Sequence, residues 1–286
     1  MSGSRSEVDA RLDRDALARA RDLVATALAG SDPIVALTGA GISAESGIPT
    51  FRGADGYWTI GSRNYQPEEL ATMRAFLEMP RELWAWYLCR RGDCRRAEPN
   101  DGHRALARLD ATLGERMRLV TQNIDGLHLR AGHDPSRLYE IHGNLGFMRP
   151  LDERGEAVRI EPIPEAIGLD WTKERALDEA TERLLRIDGA PARPHVLWFD
   201  ECYDEARFRA ASAVEAAEEA ALLIVVGTTG ATALPMHIGM TCAERGIPMI
   251  VVDPEPNVFA ELATLEGDGV FVQAPAGMAL PAILFG

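Results

Sequence analysis

Apolar and polar positions fall in blocks whose period changes along the chain. Asp13 to Leu28 places Leu17, Val24 and Leu28 on roughly one face of a helical repeat, which predicts an amphipathic helix. Pro33 to Thr38 follows, a short run apolar on both faces that ends on glycine. Such a run predicts a strand buried in a parallel sheet. Residues 39–64, rich in Gly, Ser and Thr, predict a short helix and then a loop. Glu68 to Arg90 and Gly102 to Leu109 predict helices. Arg118 to Thr121 predicts a second strand and Leu138 to Ile141 a third. Asp152-Glu153-Arg154-Gly155 predicts a turn between strands at Gly146 to Arg149 and Ala157 to Ile160. Glu174 to Arg186 predicts a helix. Pro191 and Pro194 then lead into a strand at His195 to Phe199.

The C-terminal part alternates: a helix at Ala206 to Ala220, a buried strand at Ala221 to Val226, a helix near Leu234 to Arg245 and a strand at Pro248 to Val252. Strands alternating with helices predict an α/β fold with a Rossmann-like, doubly wound parallel sheet. Residues 143–192 break the alternation and predict a smaller inserted module. The expected organisation is a tail over 1–12 and a single domain over 13–286. Within that domain, 33–52, 103–142 and 193–286 form the dinucleotide-binding part. Residues 53–102 form a loop and helical part.

Composition narrows the function classes. The chain has 286 residues, which suits one large domain with a substantial core. Lys and Arg total 30 against 44 Asp and Glu, a formal net charge of -14. A field of that sign repels phosphate backbones, so nucleic acid is not an expected partner. The longest apolar runs are too short to span a bilayer, so no membrane partner is expected. Four cysteines are too few for a disulfide framework. No CxxC pair exists, which excludes a cysteine zinc ribbon. Met1 to Ala10 lacks an apolar signal core, and the expected compartment is a reducing cytoplasm. Oligomeric state is open at this stage.

Candidate chemistry begins at Gly39-Ala40-Gly41-Ile42-Ser43-Ala44, a G-x-G-x-x-A run directly after a strand. Glycines there allow close backbone approach to a pyrophosphate, with the helix N-terminus facing the anion. A tight strand–helix turn without ligand is the competing reading. The acid expected about twenty residues on is missing. Asp253, at the end of a later strand, is the alternative acceptor for ribose hydroxyls, or else a helix cap. Gly227-Thr228-Thr229 follows another buried strand and is either an adenosine-facing turn or an ordinary βα turn.

The full run from Thr38 to Gly53 resembles the signature of the sirtuins, NAD-dependent protein deacylases. Thr121-Gln122-Asn123-Ile124-Asp125-Gly126-Leu127-His128, His142-Gly143-Asn144 and Gly227-Thr228-Thr229 agree in the expected order. Arg193 to Phe199 resembles the segment on which sirtuins pair with the acyl-lysine peptide. The resemblance covers roughly residues 13–285.

The resemblance implies NAD as co-substrate and an acyl-lysine protein or peptide as partner. It implies that His142 is the general base, with Asn123 and Asp125 beside it. An imidazole with an ordinary pKa suits a base at neutral pH. The implied NAD-binding set is Gly39, Ala40, Gly41, Ser43, Ala44, Thr50, Phe51, Arg52, Tyr57, Gln122, Asn123, Ile124, Asp125, Gly227, Thr228, Thr229, Asp253, Pro254, Glu255 and Ala274. Val196, Trp198 and Phe199 are the implied peptide contacts. His103, His128 and His195 read as structural. The products implied are nicotinamide, free lysine and an O-acyl-ADP-ribose. The alternatives are a NAD glycohydrolase or protein ADP-ribosyltransferase on the same fold, and a non-catalytic NAD sensor.

Tyr87 and Arg90 lie at i and i+3 on a predicted helix and share a face. A phenol and a guanidinium fork can grip a carboxylate. The pair resembles the Tyr-x-x-Arg of the desuccinylase branch, which holds succinyl, malonyl or glutaryl lysine. Spacing alone favours a plain core helix with solvated arginines, Arg90, Arg91, Arg95 and Arg96 forming that solvated face; the resemblance to the branch favours the carboxylate grip instead.

The sequence also departs from the family. Most sirtuins close a zinc module with two cysteine pairs after the catalytic His, and residues 143–193 here contain no cysteine. The expectation is a metal-free module packed on Phe147, Met148, Val158, Ile160, Ile163, Ile167, Trp171, Leu177, Leu184 and Leu185. Asp200 and Glu201 add acid near the peptide cleft, where they either favour basic peptides or cap a helix.

Overall fold

Asp13 opens the first helix, α1 (Arg14–Ala29), by accepting from the backbone N–H groups of Asp15 and Ala16. A carboxylate at that position satisfies donors that the helix itself leaves open. The computed structural model describes residues 12–48, 58–60, 63–152, 158–172, 175–265 and 268–286.

Beyond α1 the chain enters β1 (Ile34–Thr38), whose residues are all buried. β1 pairs in parallel with β10 (Leu222–Val226) on one side and β4 (Met117–Thr121) on the other. β5 (Leu138–Glu140), β11 (Met249–Asp253) and β12 (Val270–Gln273) complete a six-stranded parallel sheet in the order β12-β11-β10-β1-β4-β5. Side chains alternate across it. Ile34 and Ala36 meet Leu17, Leu23, Leu106 and Ile283 on one face. Val35 and Leu37 meet Ala213, Ile238 and Phe259 on the other. Both faces are therefore covered by helices, which is why the strands read as unbroken apolar runs. Among the described residues no helix is long and apolar enough to cross a membrane.

β12 and the helices Val258–Leu265 and Ala276–Phe285 have no counterpart in the sequence pattern above. The expected helix over 68–90 is three helices, Pro67–Leu70, Met73–Glu78 and Pro80–Arg96. Thr72 caps the second through Ala75 N, and Asp200 accepts from Met73 N and Arg74 N across the fold. Pro80 starts the third, where its missing N–H costs nothing. The expected helix at Ala206 to Ala220 breaks at Arg209, whose φ is 52°, into Glu205–Phe208 and Ala210–Glu218.

A second, antiparallel sheet has the order β7-β6-β9-β8, formed by Glu161–Pro162, Gly143–Pro150, Ala190–Val196 and Arg186–Ile187. The strand expected at His195 to Phe199 thus starts earlier and stops at Val196, because it pairs with β6. No strand forms over 158–160; Glu161 and Pro162 pair with β6 instead. The helix expected at Glu174 to Arg186 shrinks to Glu179–Leu184, capped by Asp178.

Met148, Ile163, Ile167, Trp171, Leu177 and Leu185 are buried as expected, against Trp84 and Phe76. Ile160 and Leu184 are exposed, and Phe147 and Val158 only half-buried. Arginines complete the attachment. Arg81, Arg91 and Arg96 donate to the carbonyls of Leu177, Ile167 and Leu169. The reading of this region as a solvated basic face is corrected at Arg91, which is buried.

Candidate active site

Five adjacent strands end along one edge of the parallel sheet. After β1 come Gly39 to Ala44, after β4 Gln122 to Asp125, after β10 Gly227 to Thr229, after β11 Asp253 to Glu255, and after β12 Ala274. Chain order reverses beside β1, where such sheets open a crevice. Four strand spacings make a row of about 19 Å.

The glycine turns after β1 and β10 interlock. Gly41 N donates to Gly227 O at 2.8 Å and Gly39 N to Val226 O at 3.0 Å. A Cβ on Gly41 would lie 2.6 Å from the Cα of Gly227, and Gly227 itself has φ 59°. The tight-turn requirement therefore accounts for these glycines before any ligand is considered.

A polar cluster sits on top of them. Asn123 Nδ2 donates to Gly39 O at 3.0 Å and to Ser43 Oγ at 3.1 Å. Ser43 Oγ donates to Asp125 Oδ2 at 2.7 Å, and Leu127 N donates to Oδ1 at 2.8 Å. Ser43 is buried and stands behind Asp125. Burial raises the Asp125 carboxyl above its ordinary range against both donors. Asn100 ties in the next helix, Asp101–Leu113, by capping it and donating to Ile42 O at 2.7 Å.

His142 follows β5. Its Nδ1 lies 3.0 Å from Gln122 O and its Nε2 lies 2.8 Å from Tyr203 Oη. A carbonyl only accepts, so Nδ1 carries the proton. Burial pushes the imidazole down to about 4, so the ring is neutral and Nε2 presents a lone pair. Gln122 is anchored in turn, donating to Thr228 Oγ1 at 2.7 Å and accepting from Thr232 Oγ1 at 3.0 Å. Glu140 stands close by. It accepts from Asn144 Nδ2 at 2.6 Å, and burial pushes its carboxyl up to about 7.

β9 carries the expected peptide contacts to this centre. Leu197 N donates to His142 O at 2.9 Å, and Gly143 pairs with Val196. Gly143 has φ 85°, and a Cβ there would run into the carbonyl of His195. Val196 and Trp198 are buried, whereas Phe199 is 54% exposed. Trp198 Nε1 donates to Tyr87 Oη at 2.8 Å. Tyr87 is buried, which raises its phenol, while Arg193 and Arg90 pull it down. Arg90 is half-buried, its guanidinium 5.6 Å from the Trp86 ring. Arg193 forms a two-point pair with Glu201 and lies 3.3 Å from the Trp198 ring.

Asp200 and Glu201 are both committed internally, the first to Met73 and Arg74, the second to Arg193, Arg149 and Trp198 N. The helix cap expected from them at Ala206 is corrected: Asp204 caps Glu205–Phe208, and Asp200 caps Met73–Glu78 instead. Asp253 Oδ1 accepts from Glu255 N at 3.0 Å, and burial raises its carboxyl. Pro254 and Glu255 are exposed and Ala274 is buried, its N–H donating to Asp253 O. Ala40, Gly41 and Ile124 are half-buried, and Ala44 and Thr229 exposed. Thr50, Phe51, Arg52 and Tyr57 lie outside the described residues. His103, His128 and His195 are buried in the interior. Tyr203, Thr232 and Glu140 are the site residues that the motifs missed. Tyr203 lies beyond the last residue of the peptide-pairing segment, so no spacing rule reached it. Among the described residues no group of three or more His, Cys, Asp or Glu could hold a metal ion.

Asp125 and His142 stand at one end of this edge, and Asp253, after β11, stands toward the other. The sequence model of the Sir2 family matches residues 39–233. The NAD-dependent protein deacylase 2 of Pyrobaculum aerophilum is 38% identical over 262 residues, covering 91% of this chain and 93% of that protein. The NAD-dependent protein deacylase of Leptospira interrogans is 36% identical over 253 residues, covering 88% of this chain and 91% of that protein. A crystal structure of a Sir2 homologue in complex with NAD is 29% identical, with a TM-score of 0.70 over 95% of this chain and 92% of that one. The chain belongs to the Sir2 family of NAD-dependent protein deacylases.

Proposed function

We propose that this protein removes acyl groups from lysine side chains of a protein or peptide, with NAD as co-substrate, and that it accepts acidic acyl groups. The observation that carries the reading is His142, a neutral imidazole whose Nδ1 is tied to Gln122 O and whose Nε2 carries the lone pair, held in the free protein by the Tyr203 hydroxyl. A base at neutral pH needs that lone pair.

When bound, NAD supplies a ribose–nicotinamide bond whose cleavage leaves an electrophilic ribose carbon. The chain's residues do the rest. Asn123, Ser43 and Asp125 offer an oriented amide and carboxylate to the ribose end. Asp253 offers a carboxylate to the far ribose. His142 Nε2 takes a proton from a ribose hydroxyl. Val196, Trp198 and Phe199 bring the peptide past His142 through the β9–β6 pairing.

Tyr87 Oη accepts from Trp198, which leaves its own proton to donate. Arg90 adds charge one helical turn on. Together they favour an acyl group that ends in a carboxylate. No residue is offered for zinc, and Arg81, Arg91, Arg96 and Trp171 hold the small sheet's segment in this reading.

The test is incubation with NAD and acetyl- or succinyl-lysine peptides, followed by mass spectrometry of the nucleotide products. Peptide-dependent O-acyl-ADP-ribose is expected. ADP-ribose formed without peptide, or ADP-ribose added to protein, contradicts the proposal.

A further inference from the structure

Tyr203 makes a contact that the reaction cannot leave in place. Its hydroxyl lies 2.8 Å from Nε2 of His142, and the two rings stand 5.8 Å apart at 31°. Nδ1 already donates to Gln122 O, so the phenol must be the donor to Nε2. An imidazole nitrogen has one lone pair and takes one hydrogen at a time. A base whose lone pair is engaged by a phenol cannot also receive a proton from the co-substrate.

We propose that Tyr203 is a positioning residue that stands in for the co-substrate's ribose hydroxyl on Nε2 of His142 in the free enzyme and is displaced when NAD binds. The inference rests on the deacylase reading for the identity of the base.

The surroundings support a built contact. Thr232 donates to Gln122 Oε1 at 3.0 Å, and the carbonyl of the same Gln122 holds Nδ1. Gln122, held by Thr228 and Thr232, and Tyr203 thus engage the two ring nitrogens from opposite sides and fix the imidazole plane and its tautomer before substrate arrives. Tyr203 itself is half-buried, packed against the edge of the core on one face of the sheet, in a short irregular segment between Glu201 and Asp204. A residue so placed can withdraw without opening the core. The chemical class that replaces it is a hydroxyl donor, the group that a ribose presents.

The test is NAD binding measured by calorimetry without acyl peptide, in the wild type and in Tyr203→Phe. The substitution removes one oxygen from a half-buried ring. Affinity for NAD should rise about two- to tenfold, the worth of one net hydrogen bond that no longer has to be broken. In wild-type protein labelled at the tyrosine ring, saturating NAD should move the Tyr203 NMR signal toward its position in free His142→Ala. Unchanged or weaker affinity in Tyr203→Phe, or a Tyr203 signal that NAD does not move, overturns the proposal. NAD binding as expected, with no acyl-ADP-ribose formed once an acyl-lysine peptide is added, overturns the deacylase reading alone. No NAD binding by either protein overturns both.

Discussion

Ser43 Oγ donates to Asp125 Oδ2 at 2.7 Å and joins the turn after β1 to the turn after β4. The hydroxyl also accepts from Asn123 Nδ2, so one buried atom orients two groups of the site. Ser43→Ala should therefore leave Asp125 without its side-chain donor. A hydrogen bond to a charged group is worth about 1.5–3 kcal/mol. Activity, as kcat/KM for NAD, should fall about tenfold or more, with the fold retained by circular dichroism. Unchanged kcat/KM would place Asp125 outside the machinery.

The small sheet should depend on arginine and tryptophan. Arg91 is buried and donates to Ile167 O, and Trp171 is buried in the same apolar cluster as Ile167 and Trp84. Trp171→Ala should cost about 3–5 kcal/mol of unfolding free energy in urea titrations. A chelator should leave Tm unchanged, because residues 143–192 offer no cysteine. A chelator-induced drop in Tm would contradict this account of the module.

Acid should destabilise the fold. Burial holds His103, His133, His142 and His195 down at about 4, and pushes His128 well below its ordinary value. Unfolded histidines titrate near 6.5, so between about 6.5 and 4 the unfolded chain binds protons that the folded chain refuses. Stability is therefore present above about 6.5 and lost as pH falls. Each histidine contributes about 1.4 kcal/mol per pH unit in that window. Glu140, raised to about 7, and Asp125 and Asp253, also raised, act in the opposite sense. Five histidines outweigh three carboxyls. Urea unfolding should show lower stability at pH 5 than at pH 7; equal stability would contradict the burial of these rings.

Arg90 should set the acyl preference. Arg90→Met removes the charge and keeps much of the stem. Turnover of succinyl-lysine peptide should fall at least tenfold, and of acetyl-lysine peptide less than twofold, the difference reflecting a lost charge-assisted bond. Equal losses on both peptides would remove Arg90 from the acyl pocket.

Much of this site was legible because it sits on local signals. β1, β10 and β11 announced themselves as apolar on both faces, and the turns after β1 and β10 as glycine-rich. His142, Asn123 and Asp125 came with their motif. Long-range contacts were not legible. Asp200 caps a helix 127 residues away in sequence, and with Pro80 it divides what reads as one continuous helix. Tyr203 reaches His142 only because the chain turns back after β9. Arg91 looks solvated by composition, yet it faces the carbonyl of Ile167, which no periodicity reveals. β12 is a run of only four residues, too short to stand out.

The central claim is that His142 is the base of an acyl transfer to ADP-ribose. The most direct measurement compares wild type and His142→Ala with NAD and a succinyl-lysine peptide, following O-acyl-ADP-ribose by mass spectrometry and NAD binding by calorimetry. The account predicts at least a hundredfold loss of product formation, within the range for removing a general base, with NAD still bound. Product formed at the wild-type rate by His142→Ala would contradict it.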